Sequence, residues 1–149
     1  AIGVKGTVID GARGSFQTLL AEAAKRAETR GVGRTGAAGV LWACGRLQVT
    51  PREGEADALL DCLLIDEGMA SKARHVQPQA LVHGVWGACH MEGVALSQKH
   101  RDAVLSHVSR LIKAGVMGTR HADALRASAA GAGLDPVQME HVLTAGDTA

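Results

Sequence analysis

Aromatic side chains are almost missing from this chain of 149 residues: one Phe, two Trp and no Tyr. Without ring bulk the core must be built from Ala, Leu, Val and Gly, which favours helices packed closely through small residues. Proline is scarce as well, with three residues, so few points force a break. The three cysteines are widely spaced, each on a predicted helix, which excludes a disulfide framework and reads as buried thiols. No run reaches the roughly 18 apolar residues a spanning helix needs, so no membrane insertion is expected. A one-sided charge is absent too: the formal net charge is +1.

What is present is a folded composition, 46% hydrophobic and 21% charged, long enough for one domain with a real core. The charge is distributed in blocks. Between Glu53 and Glu67 stand six acids and no base, while Lys5–Arg52 and Lys72–Arg126 each hold eight bases against three acids. An acidic zone flanked by two basic ones is compatible with a polyanion partner.

Residues 1–14 are punctuated by glycine and are expected to form an extended N-terminal arm. The run Gly6–Gly14 lacks the Gly-Lys-Ser/Thr ending of a phosphate loop. Ser15 as an N-cap, followed by Phe16, Leu19, Leu20, Ala23, Ala24 and Ala27 on one stripe, predicts a first helix ending near Arg30. Gly31-Val32-Gly33-Arg34-Thr35-Gly36 has dinucleotide-fingerprint spacing but follows a helix where that motif needs a strand. The second helix, about 36–47, has no polar face before Arg46 and is expected inside the fold. Thr50, Pro51 and Glu53 predict a capping box for the third, which buries Ala56, Leu59, Leu60, Leu63 and Leu64 and stops near Gly68. Pro78 opens a fourth helix and Ser97 caps a fifth that closes at Gly115. A sixth, about 120–132, and a seventh, opened by a capping box at Asp135, Pro136 and Gln138, complete seven helices and no sheet. The class is all-α, with a helical-repeat domain over 15–145 and a tail at 146–149.

The chain also repeats itself. Gly-Ala-Ala-Gly-Val-Leu-Trp-Ala-Cys-Gly from Gly36 returns as Ala-Leu-Val-His-Gly-Val-Trp-Gly-Ala-Cys from Ala80, each copy followed by a break and an amphipathic helix. Trp42 and Trp86 are 44 apart, Cys44 and Cys89 are 45 apart, and so are Asp57 and Asp102. That period belongs to stacked helical hairpins and predicts an α-solenoid of about three hairpins, with both Trp residues as equivalent core anchors.

Leu41-Trp42-Ala43-Cys44 and the run from Pro78-Gln79-Ala80-Leu81 to Trp86 resemble the octotricopeptide repeats and the related repeats of FAST-kinase and RAP-domain proteins. The resemblance covers residues 35–112. The spacing here is nearer 45 than that family's 38 or so, the second copy reads Trp-Gly-Ala, and no terminal RAP module is visible. The resemblance implies a helical-repeat subunit of an organellar ribonucleoprotein, foremost a mitochondrial ribosome component, contacting RNA and neighbouring proteins. The location it implies is mitochondrial, with the chloroplast as alternative. Other readings are a scaffold in a respiratory or photosynthetic complex, and a small helical enzyme or bacterial effector domain.

No catalytic set is legible. Cys89 and His90 are sequence neighbours, about 100° apart on a helix, and cannot easily pair as nucleophile and base. His83 with His90, and His100 with His107, are seven apart and lack metal-ligand spacing, so they are expected as surface or half-buried imidazoles. No enzyme activity, metal or cofactor is expected. The expected RNA-phosphate contacts are Lys99, Arg101, Arg110, Lys113, Arg120 and Arg126, cations on exposed sides of successive helices. The expected protein-binding stripe is Glu53, Asp57 and Asp61. Stacking on bases is not expected, because all three aromatics are expected to be buried.

Overall fold

A computed structural model describes residues 2–29, 31–66 and 76–145, with the side chains of the first helix from residue 14 on. Expectations that fall elsewhere lie outside the described residues: the first helix's end at Arg30, the third helix's stop at 67–68, Lys72 and Arg74 of the second basic block, and the tail at 146–149. The described residues are all-helical: α1 (Ile2–Glu28), α2 (Arg34–Leu47), α3 (Glu55–Leu64), α4 (Pro78–His90), α5 (Gln98–Lys113), α6 (Thr119–Ala129) and α7 (Pro136–Thr144).

The extended arm is a correction. Residues 2–14 are the first half of α1. Their glycines lower helix propensity, but each costs only about 1 kcal/mol against Ala, and continuation into the helix after Ser15 outweighs that penalty. Ser15 is therefore inside a helix and caps nothing. Leu20, Ala24 and Ala27 are buried as the stripe predicts, whereas Leu19 is exposed. Gly31 N–H donates to the Arg26 carbonyl at 2.8 Å and helps close the helix.

The capping box at Thr50, Pro51 and Glu53 is also corrected. Gly54, at φ 85°, turns the chain, and α3 starts one residue later. Glu55, not Glu53, reaches back: its Oε1 accepts from the Arg52 N–H at 2.7 Å. Ser97 does cap α5, accepting from the His100 N–H, and Asp135 caps α7, accepting from the Val137 N–H.

The helices lie in two rows. In one row α2 packs on α4 and α4 on α6; in the other α1 packs on α3, α3 on α5 and α5 on α7. Leu41, Leu59, Leu60, Leu63, Leu81, Val104 and Leu125 fill the space between with no solvent exposure. Each such leucine contributes about 2 kcal/mol relative to an exposed one.

The α2–α4 crossing is set by glycine. A Cβ on Gly87 would fall on the Leu41 carbonyl and 2.7 Å from the Trp42 nitrogen. One on Gly45 would stand 2.9 Å from both Cα and O of Gly87. The two backbones touch where larger residues would hold them apart. Among the described residues no helix is long and apolar enough to cross a membrane.

Candidate functional site

Two clusters of polar and aromatic side chains stand out. The first is a seam where α5 meets the end of α3. His100 and His107, expected at the surface or half-buried, are 1% and 2% exposed, a correction with a clear cause. They lie on the same side of α5 as Val104, Val108 and Leu111, so the buried face of that helix includes both imidazoles. Each is tied to α3 by its Nε2–H, His100 donating to Asp61 Oδ1 at 2.6 Å and His107 to the Leu64 carbonyl at 2.7 Å. Lys99 Nζ also pairs with Asp61 at 3.0 Å. Asp66, just beyond α3, takes Arg34 from the start of α2 and Arg110 from α5, the latter at 2.6 Å.

Burial pushes both carboxyls up, but their hydrogen bonds more than offset it. His100 and Lys99 hold Asp61 below the usual carboxylate range, as Arg34 and Arg110 hold Asp66. His107 is pulled down, chiefly by burial, so its neutral form is favoured. Paired in this way, the seam joins three helices, and the second ring nitrogen of His100, Nδ1, is buried without a hydrogen-bond partner among the described residues.

The second cluster lies on the outer side of α2 and α4. Trp42 is 38% exposed and Trp86 half-buried, so the expectation of two core anchors is corrected. α2 is not sunk in the interior: Thr35, Gly36, Gly39, Trp42 and Arg46 form an exposed strip, with Ala37, Ala38, Leu41 and Cys44 on the covered side. The strip contains mostly small residues, which is why its amphipathicity is faint in sequence.

The indoles lie 6.3 Å apart and tilted by 38°. His83 stands 5.6 Å from the Trp42 ring, and the Arg46 guanidinium lies 5.6 Å above that ring. His90 stacks on Trp86 at 4.1 Å, and its Nδ1–H donates to the Trp86 carbonyl at 2.8 Å. Each Trp thus carries a nitrogen-bearing side chain four residues on, and the two units are 44 residues apart. Sequence reasoning assigned the two Trp residues to the core and did not pair them with Arg46 and His90; the i,i+4 recurrence of Trp with Arg or His was the signal available.

The six expected RNA contacts are divided between two helices. Lys99, Arg101, Arg110 and Lys113 are on α5, in one row; Arg120 and Arg126 are on α6, in the other. Lys99 and Arg110 belong to the seam, Arg101 donates to Gln98 at 2.9 Å, and Arg126 makes a two-pronged bond to Glu140 at 2.7 and 3.0 Å, with Asp123 beside it. Among the described residues Lys113 and Arg120 have no carboxylate partner. Of the acidic stripe, Glu53 and Asp57 are exposed, while Asp61 is bound to His100 and Lys99.

Burial favours the protonated form of two of the three thiols. Burial pushes Cys44 up to about 12 and raises Cys89 as well. Cys44 and Cys62 are buried and Cys89, half-buried, fits against Gly131. Among the described residues no three His, Cys, Asp or Glu side chains gather as a metal-ligand set. No protein-family profile, curated protein or solved structure matches this chain.

Proposed function

We propose that this chain is a non-enzymatic helical-repeat subunit of an organellar ribonucleoprotein, foremost of a mitochondrial ribosome, that contacts RNA and neighbouring proteins. The observation that carries the reading is the repeated unit on a layered scaffold. Trp42 with Arg46 and Trp86 with His90 recur on adjacent helices of one row, at the same 44-residue offset as the sequence duplication. A row of packed equivalent helices is what a solenoid of helical hairpins presents as a binding surface, and the Trp-bearing segments are those that resemble octotricopeptide repeats. In this reading α2–α3 is one packed hairpin and α6–α7 a degenerate one, α4 and α5 extend the two rows between them, and α1 covers the first.

RNA phosphates meet the exposed cations. Arg46, Lys113 and Arg120 are free of carboxylate partners among the described residues, while Lys99, Arg101, Arg110 and Arg126 contribute where RNA displaces their present partners. A second reading, a protein scaffold in a respiratory or photosynthetic complex, is favoured by that same pairing, since a neutralised cation offers a phosphate less.

Purification of the native particle tests the main reading: the chain should travel with ribosomal RNA and be released by ribonuclease. Lys113→Gln together with Arg120→Gln, chosen to leave the seam intact, should lower the slope of log affinity against log salt by about 0.7 for each lost phosphate contact. Co-purification with proteins alone, and an RNA affinity unmoved by the pair, would establish the scaffold instead.

A further inference from the structure

We propose that the α2–α4 face is a stacking platform for single-stranded RNA, on which Trp42 and Trp86 each take a base and Arg46 meets the adjoining phosphate. This rests on the RNA reading and specifies its mode of contact. The rings are 6.3 Å apart and tilted by 38°, so neither covers the face of the other. Trp42 is 38% exposed, an unusual position for the most valuable apolar side chain of a chain with three aromatics. Base–aromatic stacking tolerates any sequence, since every base has a π-face, and an arginine over the ring adds to it.

Charge and texture select the occupant. Neither α2 nor α4 contains an Asp or Glu; Arg34, Arg46, His83 and His90 are their titratable polar groups, and Arg34 is committed to Asp66. The first carboxylate beyond them, Glu92, lies in the turn after α4. A polyanion can therefore lie along the face without meeting a like charge on either helix. The exposed neighbours of Trp42 on α2 are Thr35, Gly36, Gly39 and Arg46, small or polar residues that give a partner helix little aliphatic surface to bury. Flat rings beside a cation, with little aliphatic surround, fit a splayed single strand better than a hydrophobic protein surface.

His90 is exposed and stacks on the Trp86 ring as part of the platform. Its Nδ1–H is committed to the Trp86 carbonyl, which fixes the imidazole parallel to the indole, with 22° between the planes. The ring holds Trp86 in place and extends the stacked surface by one member.

Both tryptophans of the chain lie on this face, so intrinsic fluorescence reports on it without a label. The probe is a twelve-nucleotide oligouridylate titrated into the full chain, with anisotropy of a 5′-fluorescein copy as a second readout. Saturable quenching is expected. Trp42→Leu, which keeps apolar bulk but has no π-face, should weaken binding roughly tenfold. Trp42→Phe should recover most of the loss, and Arg46→Gln should flatten the salt slope by about 0.7, all with unchanged far-ultraviolet circular dichroism. If Trp42→Leu disturbs the fold, Trp42→Phe and Arg46→Gln still decide the matter. Oligonucleotide binding with wild-type affinity in Trp42→Leu and Arg46→Gln would overturn the platform and leave the RNA reading standing. No binding at all would overturn both.

Discussion

At the scale of single residues, glycine does the most to shape this molecule. Gly45 and Gly87 let α2 and α4 approach until backbone meets backbone, and Gly84 and Gly131 leave room for Leu63 and Cys89. The obstacle at Gly87 is the backbone of Leu41 and Trp42, which cannot swing aside like a side-chain end. Gly87→Ala should destabilise the chain by about 3 kcal/mol, at the upper end of overpacking costs. Gly39→Ala, on the open side of α2 with nothing within 4 Å of the added methyl, should stabilise it by about 0.5–1 kcal/mol. Urea midpoints of the two variants, moving in opposite directions, check both. These roles were not legible in sequence. A helical glycine reads only as a weak helix former until the neighbour it admits is known, and Gly45 and Gly87 are 42 residues apart.

At the scale of elements, the number and order of the described helices were legible, because Pro78 and Pro136, with caps at Ser97 and Asp135, mark boundaries that apolar periodicity then fills. The start of α1 was not, since the cooperative extension of a helix through residues 2–14 overrides their local preference. The seam between α3 and α5 was not legible either: Asp61 and His100 are 39 residues apart and nothing local pairs them. The seam does make a prediction. Burial lowers the folded His107 value below the ordinary 6.5, so the unfolded chain binds that proton first and stability should fall as pH drops below 6.5, levelling once the folded imidazole is also protonated. Asp61 and Asp66 are depressed below the ordinary 3.8, so their contribution, present above 3.8, should disappear only as pH falls through their lower folded values. Denaturation between pH 7 and pH 5 should therefore show a slope that His107→Gln largely removes, and a second loss below pH 4 that persists in this variant. A wild-type stability flat from pH 7 to pH 5 would show that the buried imidazole is not the group that titrates.

At the scale of the whole molecule, the two rows raise the question of how far one helix pair depends on the next. In a solenoid, stability is roughly a sum of terms from each repeat and its immediate neighbour, so removing an end pair weakens the remainder without abolishing it. Here α6 packs on α4, α7 on α5, and α6 and α7 on each other. The pair brings Leu125, Ala129, Met139 and Leu143 into the interior, with no exposure at Leu125 and 1% at Met139. Their partners, α4 and α5, are also held by α2 and α3. The seam of Asp61, Asp66, Arg34, His100, His107 and Arg110 lies wholly within α2, α3 and α5 and the residues flanking them. A chain ending at Gly115 should then keep the helicity of α1 to α5, keep the Trp42–Trp86 face and its fluorescence, and unfold at a lower urea concentration. Its m-value should fall in proportion to the surface no longer buried, because m scales with the area exposed on unfolding. Complete loss of helical circular dichroism on this truncation would instead mean one indivisible core, and would remove the repeat architecture on which the proposed RNA-contacting role is built.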